Sequence, residues 1–209
     1  TKAALALCCA SDLTVAEFQT LKGRMGSADP NATTVEAYLG DTADTRTGLY
    51  ADGSRQSLMT HREAIALFRA VGREMPSELT AGHDRATHKV ADVVGSHDAY
   101  AQALIDDYRA AGISPGSVWL QSFNLDDLLY WVEKAPLYGR QAAFLDGRDP
   151  EALAGEPPRD GEFLDLKAMG INIIAPPMAT LLTVRQGKIV PSEYARRARK
   201  AGLDIISWT

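Results

Sequence analysis

Residues 100–123, YAQALIDDYRAAGISPGSVWLQSF, set apolar side chains at Tyr100, Leu104, Tyr108 and Ala111, stop at Gly112, and then run into a short apolar stretch. The first spacing is one face of an α-helix, the glycine is a C-cap, and the run after it is a buried strand. This order, helix and then strand, recurs five times. The first unit opens on Thr60 and Glu63, a capping box ahead of AIALFRAV, closes at Gly72 and leads into EMPSEL. After residues 100–123, a third unit has Asn124 as N-cap, Asp126 and Asp127 at the positive helix end, and a stripe of Leu125, Leu128, Leu129 and Val132 before QAAFLD. EFLDLKAMG followed by INIIAPP is the fourth unit, and SEYARRARKAG followed by LDIISWT the fifth. Strands are therefore expected near 74–79, 118–122, 141–145, 171–175 and 203–208. Helices alternating with strands make a parallel sheet.

Outside these units the pattern thins. Thr14 and Glu17 form another capping box, opening a helix from Thr14 to about Leu21, and a Gly, Asp and Thr-rich stretch without a strand signal follows it. DGRDPEALAGEPPRDGE reads as a polar surface loop over one mouth of the sheet. The whole chain, 1–209, is expected to be one domain, with 45% hydrophobic residues to fill a core. A net charge of -5 argues against a nucleic-acid partner, which would need an excess of Lys and Arg on one face. No apolar run reaches the ~20 residues of a transmembrane helix. Cys8 and Cys9 are adjacent, a spacing at which two cysteines rarely bridge each other, so they read as small buried hydrophobes or as one half of a bridge to a cysteine elsewhere.

Five parallel strands fit a doubly wound sheet, although no glycine-rich phosphate turn follows any of them. They fit equally well an α/β barrel of the (β/α)8 TIM type whose opening strands are missing. A barrel places its chemistry at the C-terminal strand ends. Those ends are Glu78, Ser122 with Phe123, Asp146, Pro176 with Pro177, and Trp208.

Read in order, these ends resemble the glycerophosphodiester phosphodiesterase family, in particular its secreted microbial branch. The resemblance runs from Cys8 to Thr209 through CCASDLTVAEFQTLKGRM, LMTHREAIALFRAVG, PSEL, LQSFNLDDLLYW, AAFLDGR, INIIAPPM and GKIVPSEYARRARKAGLDIISWT. It implies a barrel that hydrolyses glycerophosphodiesters to glycerol 3-phosphate and an alcohol, with a divalent ion, Mg or Ca, and an exported location. It also implies Glu78 as a metal ligand and Ser122, Phe123 and Trp208 as pocket walls. The family's opening His-Arg-Gly and Glu-x-Asp strands and its second His have no counterpart here, so no catalytic residue is expected within this chain. Those groups would lie upstream of Thr1. Where the family has a Lys two residues after its Glu, Thr80 stands, which offers a hydroxyl to a phosphate but no charge.

The remaining histidines suggest no substitute. His83 and His88 are five apart, off the i, i+4 spacing of a shared helical ligand face, His61 falls in a first helical turn, and His97 precedes a helix. ARRARK beside Glu193 reads as an exposed cationic helix face. The other function class left open is a non-catalytic relative that binds a partner or serves as a structural module.

Overall fold

A computed structural model describes residues 13–21, 29, 31–34, 37, 58–72, 79–83 and 94–208, with 71–72 and 79–83 described by their backbone alone. The chain divides into two compact units, Thr1–Ala64 and Ile65–Thr209. In the first, α1 (Val15–Thr20) begins at the expected capping box, with the Thr14 hydroxyl accepting from the Glu17 N–H. Thr60 and Glu63 form the second such box, with Glu63 Oε2 accepting from the Thr60 N–H at 2.8 Å, at the start of α2 (His61–Gly72). Cys8, Cys9, Glu78 and His88 lie outside the described residues.

The second unit carries a five-stranded parallel sheet in the order β1 (Leu79–His83), β2 (Val118–Ser122), β3 (Ala143–Leu145), β4 (Ile173–Ala175) and β7 (Asp204–Ile205). An α/β architecture with a parallel sheet is thus observed. Helices α3 (His97–Ala110), α4 (Leu125–Lys134), α5 (Pro136–Gly139), α6 (Pro150–Gly155), α7 (Asp160–Ala168), α8 (Met178–Leu181) and α9 (Glu193–Lys200) fill the connections. β2 falls where the sequence put it. Of the strand expected near 74–79, residues 74–78 lie outside the described residues; β1 runs on past 79, with Leu79 to His83 pairing residue for residue with Val118 to Ser122.

Two further elements depart from the sequence reading. α6 occupies part of the stretch expected as loop, because Asp149 caps it, its carboxylate accepting from the N–H groups of Glu151 and Ala152, and Pro150 takes the first helical position where no donor is needed. Strands β5 (Leu182–Arg185) and β6 (Lys188–Pro191) form an antiparallel hairpin between α8 and α9.

Strand periodicity sorts the core into two sides. Ala143, Leu145, Ile173 and Ala175 pack with Trp119, Ile206 and Trp208 on one face of the sheet. The alternate residues face the helices: Val118 and Leu120 join Ile105, Leu128 and Trp131, while Ile174 joins Phe163, Tyr194 and Leu203. Among the described residues, no helix is long and apolar enough to cross a membrane.

Candidate functional site

Because the strands are parallel, the residues after β2, β3, β4 and β7 emerge on one edge of the sheet. Ser122 and Phe123 leave β2 with opposite parity. Ser122 belongs to the helix-facing side and is fully buried. Its hydroxyl donates to Asp127 Oδ2 at 2.8 Å and accepts from the Asn124 N–H at 3.0 Å. Asn124 makes no side-chain cap of its own, so Ser122 binds the strand end to the start of α4. Ser122→Ala removes the hydroxyl that ties the buried Asp127 carboxylate to the Asn124 N–H and is expected to cost about 1–3 kcal/mol, measured by urea unfolding.

Phe123 turns the other way, to Trp208. The two rings meet edge to face, 5.8 Å between centroids and 85° between planes, the geometry that aromatic quadrupoles favour. Trp208 is held from three directions: its indole N–H donates to the Ala175 carbonyl at 2.8 Å, its backbone N–H to Pro176, and its carbonyl accepts from the Met178 N–H. Phe123 is 45% exposed, so the pair presents a fixed aromatic wall. Gly147 leaves it room, since a Cβ there would stand 3.0 Å from the Phe123 ring.

After β3 comes a polar knot built on Asp146, one of the strand ends named above. Asp146 is 2% exposed. Its carboxylate accepts from Arg148 Nε at 2.9 Å and from a terminal guanidinium nitrogen at 2.7 Å, and Tyr194 of α9 donates its hydroxyl at 2.8 Å. Burial raises the Asp146 carboxyl, but the hydrogen bonds from Arg148 and Tyr194 outweigh it and hold the group below the ordinary carboxylate range. Burial, followed by the neighbouring carboxylate, pushes the Tyr194 phenol up. Arg148 extends the knot to Glu162 on α7 at 3.2 Å. Its charge is therefore answered twice within the fold.

Beside Phe123 and Arg148 opens a groove of about 560 Å³, lined also by Phe144, Phe163 and Leu166 of the helix-facing side, with Glu162 at its polar margin; Trp208 is not part of its lining. The structure thus brings Phe123 and Trp208 together and turns Ser122 away from them. Thr80 lies in β1 at the level of Trp119, three positions before the residue paired with Ser122. Sequence reasoning left out Tyr194, whose partner is 48 residues away, and gave Asp127 only a role in the helix dipole. The cations of ARRARK are answered by Glu193, Asp160 and Asp204, in keeping with a solvated helix face.

No protein-family model matches the chain. It is 39% identical over 188 residues to an "Extracellular protein" of Arthroderma benhamiae, an alignment covering 88% of this chain and 74% of that protein. The chain belongs to the family of that extracellular protein. Among solved structures it is similar to a glycerophosphodiester phosphodiesterase from Parabacteroides distasonis, with a TM-score of 0.49 at 11% identity over 84% of this chain. A second solved structure, from Silicibacter pomeroyi, gives 0.47 at 18% identity over 86% of the chain. The chain spans 61% of the length of each.

Proposed function

We propose that the chain is part of a metal-dependent phosphodiesterase of TIM-barrel type that hydrolyses glycerophosphodiesters to glycerol 3-phosphate and an alcohol. The observation that carries the reading is the Phe123–Trp208 pair at the C-terminal edge of a parallel sheet, since these are the residues that resemble the family's Ser-Phe and final-strand Trp. In this reading the two rings wall the pocket for the glycerol or alcohol portion, and Ser122 with Asp127 fixes Phe123 in place. Thr80 enters this reading through the resemblance alone, as the residue that stands where the family has its Lys and that offers a phosphate a hydroxyl without a charge. The reading includes a divalent ion, Mg or Ca, with Glu78 among its ligands. The described residues do not by themselves fit the ion: among them no three His, Cys, Asp or Glu side chains converge, and Asp146 is already held by Arg148 and Tyr194. They contribute the pocket wall, and the ligand set and acid-base histidines lie elsewhere. An exported location agrees with the name of the Arthroderma benhamiae relative.

The test is release of glycerol 3-phosphate from a glycerophosphodiester by the full-length protein. Release is expected with Mg or Ca and is expected to stop with a chelator. Glu78→Gln, which removes one anionic oxygen at nearly constant size, is expected to lower turnover at least tenfold and to weaken the apparent metal affinity. Unchanged turnover and metal dependence in that variant would give Glu78 a structural role, and no release under any condition would favour the binding module.

A further inference from the structure

The β5–β6 hairpin has no part in the pocket, yet its composition is divided sharply. Its register pairs Leu182 with Pro191 and Val184 with Ile189, which puts these four apolar residues on one face. That face is open to solvent: Leu182 is 50% exposed, Val184 67% and Ile189 72%. On the other face Thr183 pairs with Val190, both half-buried, and Arg185 pairs with Lys188 beside the turn. Gln186 and Gly187 both have positive φ, 51° and 73°, the backbone of a tight two-residue hairpin turn, so the tip has a defined shape. The Ser192 N–H closes the base on the Leu181 carbonyl at 2.9 Å.

The two cations are the decisive feature. Like charges directly opposite on an antiparallel pair destabilise it, and neither Arg185 nor Lys188 has an ion-pair partner among the described residues. No acid occurs between residues 179 and 192, in a chain whose net charge is -5. An external anion would relieve the repulsion. An array of anions above an apolar layer meets both halves of the hairpin at once.

We propose that the β5–β6 hairpin is an interfacial anchor that seats the protein on an anionic lipid bilayer. Lying along the surface, it sets Leu182, Val184 and Ile189 into the boundary of headgroups and acyl chains. Arg185 and Lys188 extend their long side chains back to lipid phosphates. A second copy of the chain fits the surface less well. Pairing by added strands would meet Pro191, which lacks an N–H, at one end of the hairpin and two cations at the other.

The proposal stands apart from the hydrolase reading and is tested without it. The full chain is expected to co-sediment with vesicles containing phosphatidylserine, only weakly with phosphatidylcholine alone, and less as salt is raised. R185Q/K188Q is expected to lower partitioning onto the anionic vesicles about twenty-five-fold, at about fivefold per cation. V184D/I189D is expected to abolish it. Both variants should keep the wild-type circular dichroism and Tm, since the altered side chains are exposed, and any hydrolysis of a soluble diester should be unchanged. Failure of the wild-type chain to bind anionic vesicles overturns the proposal, as does undiminished binding by V184D/I189D. A concentration-dependent dimer that V184D/I189D dissolves, with no vesicle binding, would make the face a contact between copies instead.

Discussion

Asp146→Asn is expected to lower stability by about 2–4 kcal/mol, a fall in Tm of about 5–15 °C for a unit of this size. Asparagine keeps the shape but turns an amide towards the guanidinium or the phenol, so one donor is left facing another. The Tyr194 side chain is 1% exposed and has no water to fall back on. Arg148 is half exposed and retains Glu162, which keeps the cost below that of a wholly buried ion pair. The pH dependence has a definite sign. The carboxyl of Asp146 lies below its ordinary value in the folded state, so its stabilisation is complete above the unfolded value of about 4 and is lost as pH falls through the lower folded value. Thermal unfolding of wild type and variant from pH 7 towards pH 3 should show the gap narrowing in acid. A gap that is absent at pH 7 would mean that the knot contributes nothing.

Gly139→Ala is expected to cost about 3 kcal/mol or more, the upper end for overpacking. Its new Cβ would stand 2.5 Å from the Trp131 carbonyl oxygen and 2.6 Å from the Val132 Cα, where no real Cβ is found. The obstruction is backbone, so no rotamer change relieves it. The same carbonyl accepts from the Ala135 N–H at 3.0 Å at the end of α4, and the Trp131 ring is fully buried with its indole N–H on the Ala101 carbonyl. Separating α5 from α4 therefore disturbs the helix-facing core around Leu120 and Leu128 as well. Gly161→Ala is the contrast, since an added Cβ there meets nothing within 4 Å and alanine is the better helix former; it should be neutral or stabilising by up to about 1 kcal/mol. Denaturant unfolding of the two variants side by side measures the difference, and equal midpoints would show that the α4–α5 approach is loose.

Local chemistry was legible in the sequence wherever its partners were close in the chain. The capping boxes at Thr14 and Thr60 need only three residues, and Val118 to Ser122 alternates within its own length, so both were readable. The hairpin was missed although LLTV and KIV flank a Gln-Gly turn, because the rhythm of helix and strand had already claimed the interval between β4 and α9. α6 was hidden by the prolines around it, of which Pro150 starts the helix rather than breaking it. Contacts made across the fold left no trace. Tyr194 reads as one aromatic on a cationic helix, and its bond to Asp146 exists only once β3 and α9 have packed. Ser122 shows the finer limit: a serine at a strand end is the same word whether it faces a pocket or a helix, and parity decides, one residue at a time.

Phe144 and Leu166 have a consequence beyond packing. Each touches both helix-facing clusters, the one around Trp131 and Leu120 and the one around Phe163 and Ile174. Two apolar clusters with separate membership could come apart in sequence, each opening with its own free energy. Because these side chains belong to both, loosening either cluster withdraws support from the other. The cooperativity of the second unit is thus concentrated where one residue of β3 meets one of α7, and its partially opened forms are kept scarce by two side chains rather than by the size of the sheet.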